Sequence, residues 1–88
     1  MHEMSLINDL VSKIEAIAKK NKAKRIVKVT AWLGAMSHIS ADHFRGHFED
    51  GTRGTIAHGA KLEVETSADM NDPNAQSILL KSVEVEDA

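Results

Sequence analysis

Between residues 5 and 20, Leu6, Ile7, Leu10, Val11, Ile14, Ile17 and Ala18 recur at intervals of three and four. That spacing gathers them on one broad face of an α-helix. A helix with so wide an apolar face has to bury it against another apolar layer, and this commits the chain to a layered core. Ser5 reads as the N-cap, which leaves Met1–Glu3 just outside the helix. Glu15 and Lys19 form an i,i+4 pair in the better orientation, and Asn21 is a reasonable stop. The basic stretch Lys19–Arg25, "KKNKAKR", suits a helix C-terminus, where each cation is favourable by about 0.3–1 kcal/mol. A phosphate-binding patch is the weaker reading of the same charges.

The opposing layer follows at once. In residues 25–33, "RIVKVTAWL", Val27, Val29, Ala31 and Leu33 alternate with Lys28, Thr30 and Trp32. The spacing predicts a strand with the first set facing the helices. Trp32 then lies on the opposite face, half-covered by its neighbours or, as the second option, part of a contact surface. Ser40 caps a second helix over residues 41–50, with Asp42 in its first turn and Phe44 and Phe48 as its buried stripe. Gly46 weakens this helix by about 1 kcal/mol relative to Ala, and Gly51 is expected to close it. "GTIAHGA" (54–60) is a loop, and residues 61–65, "KLEVE", form a strand with Leu62 and Val64 inward. Residues 66–77 are a polar linker with the chain's one proline. Residues 78–86, "ILLKSVEVE", are a final strand whose broken alternation requires a bulge near Lys81–Ser82.

The order α-β-α-β-β gives an α+β fold. A single two-layer domain spans residues 1–88, with a three-stranded sheet covered on one face by two helices. Only Trp32, Phe44 and Phe48 are aromatic, so Ile, Val, Leu and Ala must fill most of the core. The chain has no cysteine, which removes disulfides, thiolate zinc sites and cysteine nucleophiles. A net charge of −2 gives no support for a nucleic-acid or membrane-surface binder. No stretch approaches the roughly 20 apolar residues of a membrane span. Glu3, Asp9 and Glu15 argue against a signal peptide, so the cytoplasm is expected. There is no phosphate-loop motif and no nucleophile–base–orienter set, so an enzyme is not expected.

The chemistry concentrates at the start, "MHEMS". The α-amine of Met1, the backbone nitrogen of His2 and Nδ1 of its imidazole form fused chelate rings, and the backbone nitrogen of Glu3 can supply a fourth in-plane donor. Four nitrogens in a plane suit Ni(II) or Cu(II), with Cu(II) the tighter by affinity order. Zinc prefers a tetrahedral set. The bulk of His2 should protect Met1 from removal. The carboxylate of Glu3 can lower the net charge of such a site or hold an outer hydrogen bond. His43 and His47, four apart on the second helix, have the spacing of a two-imidazole metal site, with Asp50 as a candidate third ligand. The acid of an HExxH motif is missing from "HFRGH", and flanking the Phe stripe is the plainer role. His38 and His58 are loop residues with no readable role. Met4 and Met36 read as core packing ahead of soft Cu(I) ligands.

Four stretches in register resemble one family: "MHEMSL", "WLGAMS" (Trp32–Ser37), "TRGTIAHGAKLEVE" (Thr52–Glu65) and "LLKSVEVE" (Leu79–Glu86). Together they are similar to HypA, the nickel metallochaperones of hydrogenase maturation. The resemblance implies nickel held at Met1, His2 and Glu3. It also implies a HypB-type GTPase and a hydrogenase large subunit as partners. Members of that family carry a zinc module on paired CxxC motifs after the "KLEVE" strand. Here residues 66–77 stand in its place, so Ni(II) and no zinc is expected. The alternative is an assembly or interaction subunit that kept the fold without metal delivery. Its contacts would use Trp32 and the open sheet edges, which also leave room for a homodimer.

Overall fold

A computed structural model describes residues 3–87, with side chains described from Ser5 onward. Its elements are α1 (Glu3–Lys20), β1 (Ala23–Leu33), α2 (Ala41–Thr52), β2 (Lys61–Thr66) and β3 (Ile78–Asp87). The sheet order is β2-β1-β3, with β1 parallel to β2 and antiparallel to β3. Ile7, Leu10, Val11, Ile14 and Ala18 of α1, Phe44 and Phe48 of α2, and Ile26, Val29, Ala31 and Leu33 of β1 form one buried cluster. Both helices therefore cover the same face of the sheet, as the apolar stripes require.

α1 begins two residues earlier than Ser5 predicts. Ser5 lies inside the first turn and Glu3 belongs to the helix. An acidic residue in a first turn complements the positive end of the helix dipole, so Glu3 is well suited to that position. At the other end the Asn21 side-chain amide donates to the Ile17 carbonyl at 2.8 Å, and Lys22 takes a left-handed φ of 51° to turn the chain into β1.

β1 departs from simple alternation. Its pairing with β3 shifts between Ile26 and Lys28, so Val27 is an extra residue without a partner on β3. The bulge reverses the parity before it, burying Ile26 and turning Val27 out to 43% exposure, where alternation had placed Val27 inward. The bulge expected near Lys81–Ser82 is present: Thr30 pairs with Ser82 and Ala31 with Leu80, which leaves Lys81 over. Trp32 stands on the outer face between Glu65 and Leu79 and is half-covered.

Ser40 caps α2, its Oγ accepting from the His43 N–H at 3.1 Å. Gly51 does not end that helix. α2 runs on to Thr52, whose hydroxyl donates back to the Phe48 carbonyl at 2.8 Å, and Arg53 is the cap. Gly51 serves close packing, since a Cβ there would stand 3.2 Å from Cγ2 of Ile7. Arg45 reaches across to β2, its Nη1 donating to the Leu62 carbonyl at 2.7 Å.

The segment between β2 and β3 is fastened at both ends to the end of β1. The Ser67 N–H donates to the Leu33 carbonyl at 3.0 Å, and the Gly34 N–H donates to the Ser77 carbonyl at 2.9 Å. Between them Met36 N–H donates to Ala75 O at 2.7 Å. Thr66 belongs to β2, so the segment itself starts one residue later than its polar composition suggested.

This seam generates a prediction. A Cβ on Gly34 would collide with the Ala75 carbonyl and lie 2.6 Å from the Asn74 oxygen. Both are backbone and cannot swing aside. Gly34→Ala should cost about 1–3 kcal/mol in urea unfolding, the usual range for forced overpacking; an unchanged midpoint would show that the seam yields freely.

A second prediction concerns the outer face, where Lys28 Nζ lies 2.8 Å from Glu63 Oε2. The hydrogen bond and charge of Glu63 raise the Lys28 pKa, and those of Lys28 lower the Glu63 pKa. The stability this pair adds is lost as pH falls through the lowered Glu63 value and as it rises through the raised Lys28 value. Glu63→Gln should therefore be less stable than wild type at neutral pH, by a small margin because the pair is exposed. The difference should vanish at both extremes of a pH series of urea melts.

Candidate metal centre

Of the predicted N-terminal ligands, Met1 and His2 lie outside the described residues. Glu3 is described as the first residue of α1. That placement has a chemical consequence. The first N–H groups of a helix have no carbonyl partner within it. The Glu3 nitrogen is one of these, so binding a cation through it breaks no helical hydrogen bond. The positive end of the dipole also favours the negative charge of a deprotonated amide there.

The topology fixes what surrounds this end. The turn at Asn21–Lys22 sends β1 back against the direction of α1. β1 and β2 are parallel, so the connecting α2 must also run against β1. The two helices therefore lie side by side and run in the same direction. Gly51 of α2 faces Ile7 and Val11 of α1. One turn before Gly51 stands His47, and one turn before Ile7 stands Glu3, so these two positions are level. His43 stands one further turn toward the helix start.

The same end holds the loop after β1. Leu6, Met36, Ser37 and His38 line one open cleft, with His38 at a left-handed φ of 61°. The opposite end carries Lys19, Lys22 and the Gly54–Ile56 turn. His58 follows the end of α2, in a cleft it shares with Phe48, Glu49 and Arg53, and it also lies near Val27. His38 and His58, unassigned in sequence, thus lie in different clefts. The signal that distinguishes them is the parallel helix arrangement, which no single stretch of sequence displays.

The imidazoles of His43 and His47 have ring centroids 5.9 Å apart, tilted by 52°. His43 is exposed and His47 half-buried, while Phe44 and Phe48, one position round the helix, are buried in the core. Asp50 does not join the pair; its carboxylate holds Arg53 at 3.2 Å. Among the described residues no group of three or more His, Cys, Asp or Glu is placed to hold a metal.

The family model described as hydrogenase/urease nickel incorporation, metallochaperone, HypA matches residues 1–71. The hydrogenase maturation factor HypA of Methylocella silvestris is 38% identical over 65 residues, covering 74% of this chain and 58% of that protein. That of Bradyrhizobium sp. strain ORS 278 is 41% identical over 64 residues, covering 73% and 57%. The chain thus spans under two thirds of these relatives' length. The solution structure of the Ni metallochaperone HypA from Helicobacter pylori aligns with a TM-score of 0.81 at 20% identity over 100% of both chains. A second HypA solution structure aligns with a TM-score of 0.75 at 22% identity, over 97% of this chain and 96% of that one. At these identities the two structures speak for the fold. With a family match over most of its length and relatives near 40% identity, the chain belongs to the HypA family.

Proposed function

We propose that this protein binds Ni(II) through Met1, His2 and Glu3 and passes it on during assembly of a nickel enzyme, a hydrogenase by family. The observation that carries this reading is the family match beginning at residue 1, with the Met-His-Glu donor set at its head. The donor chemistry agrees: one amine, one imidazole and two amide nitrogens form a planar set that nickel accepts and zinc does not favour. The helix start at Glu3 leaves the last of those amides without a helical partner. The protein's role is capture and release of the ion rather than catalysis. A HypB-type GTPase and the hydrogenase large subunit are the partners this role calls for. The cytoplasm is where they would meet, and no helix among the described residues is long and apolar enough to cross a membrane.

Zinc does not enter the proposal, since these 88 residues contain no cysteine. The family match ends at residue 71, inside the segment joining β2 to β3, where the zinc module of the family would be inserted. A homodimer would form through β3, an edge strand of the sheet.

The test is a Ni(II) titration of untagged protein, of protein extended by one N-terminal residue, and of His2→Ala, read by the absorption band of planar four-nitrogen nickel. The band should appear in the first alone. It should fade as pH falls toward about 6, because protons compete for an amine with a pKa near 7.7–8.0. Equal bands in all three proteins would remove the N-terminal site. Absence of the band in all three would favour the assembly-subunit alternative.

A further inference from the structure

We propose that His43 and His47 form a second metal site, a two-imidazole seat for a borderline divalent cation such as Ni(II), on the face of α2 level with the start of α1. Metal–imidazole bonds of about 2.0–2.1 Å place each ring centroid roughly 3.2 Å from a shared ion. Two such rings then stand about 4.5–6.4 Å apart as the angle at the metal opens from a right angle to a line. The observed 5.9 Å lies inside that range, so small side-chain rotations suffice. The backbone beneath the pair is held in place. Ser40 caps the helix below His43, Phe44 and Phe48 anchor it in the core, and Arg45 ties it to β2. Ligands on a rigid helix keep their separation without an ion to organise them.

Two imidazoles leave the other coordination positions to water or to an incoming ligand, and no third protein ligand stands among the described residues. Such a site binds more weakly than a four-nitrogen chelate and exchanges faster. Set level with Glu3 at the start of α1, it suits a landing or hand-over position for the ion. That assignment of role rests on the nickel reading above, whereas the existence of the site does not.

The experiment separates the two. High-spin Ni(II) on two imidazoles and water is paramagnetic and broadens nearby NMR lines, whereas planar four-nitrogen Ni(II) is diamagnetic and absorbs in the visible. In wild type the planar band should fill first, and further Ni(II) should broaden the ring signals of His43 and His47 while the backbone amide signals of Lys19 and Lys22, at the far end of α1, stay sharp. In His2→Ala the planar band should be lost and broadening should begin with the first additions. In His43→Ala the His47 signal should need about tenfold more Ni(II) to broaden, as one ligand loses the advantage of its tethered partner. His43→Gln should behave alike. Both substitutions fall on an exposed helix position and keep good helix formers there, and the amide spectrum verifies the fold. Broadening of His47 at the wild-type concentration in His43→Ala would overturn the site, as would equal broadening of the Lys19 and Lys22 amides. A missing planar band with selective broadening intact would instead count against the N-terminal reading alone.

Discussion

The burial of β1 on its inner face is the constraint from which the rest of the molecule follows. Val29, Ala31 and Leu33 are almost wholly enclosed, and everything that encloses them is fixed relative to this one strand. Its two neighbours take their register from it, and both helices lie against the same side. Because β1 occupies the centre of a three-stranded sheet, it has no free edge of its own. The two edges belong to β2 and β3. On β2 the exposed backbone is partly occupied by Arg45, which satisfies the Leu62 carbonyl and so blunts one place where a foreign strand could add.

Direction along β1 organises the chemistry as much as the packing. Since α1 and α2 both run against it, both start toward the end of β1, and the shorter α2 finishes against the first half of α1, where Gly51 meets Ile7 and Val11. One end thereby collects the first helix residue, His38, His43 and His47. The other collects Lys19, Lys22 and the glycine turns at Gly54 and Gly59, both at positive φ. The histidines His38, His43 and His47 thus lie toward one end of the molecule, while Lys19 and Lys22, with Glu15 beside them, lie at the other.

Much of this was legible from residue patterns, and the exceptions have physical causes. The bulge at Lys81 could be read because Leu80 and Val83 differ in parity, so regular pairing could not bury both. The bulge at Val27 could not, because Ile26 and Val27 are equally apolar and either parity would have satisfied the pattern. Ser5 carried a cap signature that the helix overran by two residues, with Glu3 well placed for its first turn. Gly51 resembled a stop, yet its lack of a side chain lets α1 and α2 approach instead. For the site, Met1, His2 and Glu3 were named by family resemblance together with donor chemistry. The His43–His47 spacing was plain in the sequence. Its position level with Glu3 was not, because that depends on the relative direction of two helices and on the contact between Gly51 and Ile7.

The segment joining β2 to β3 leaves and rejoins the fold at the same place, held by hydrogen bonds to Leu33 on one side and Gly34 on the other. Its two stems are anchored independently of whatever lies between them. Closing a longer loop across fixed stems costs little, with each doubling of length adding about 0.6 kcal/mol. The sheet is therefore nearly indifferent to the size of what is carried there. In engineering terms this is a socket, whose rim is set by Leu33, Gly34, Ser67 and Ser77 and not by what it holds.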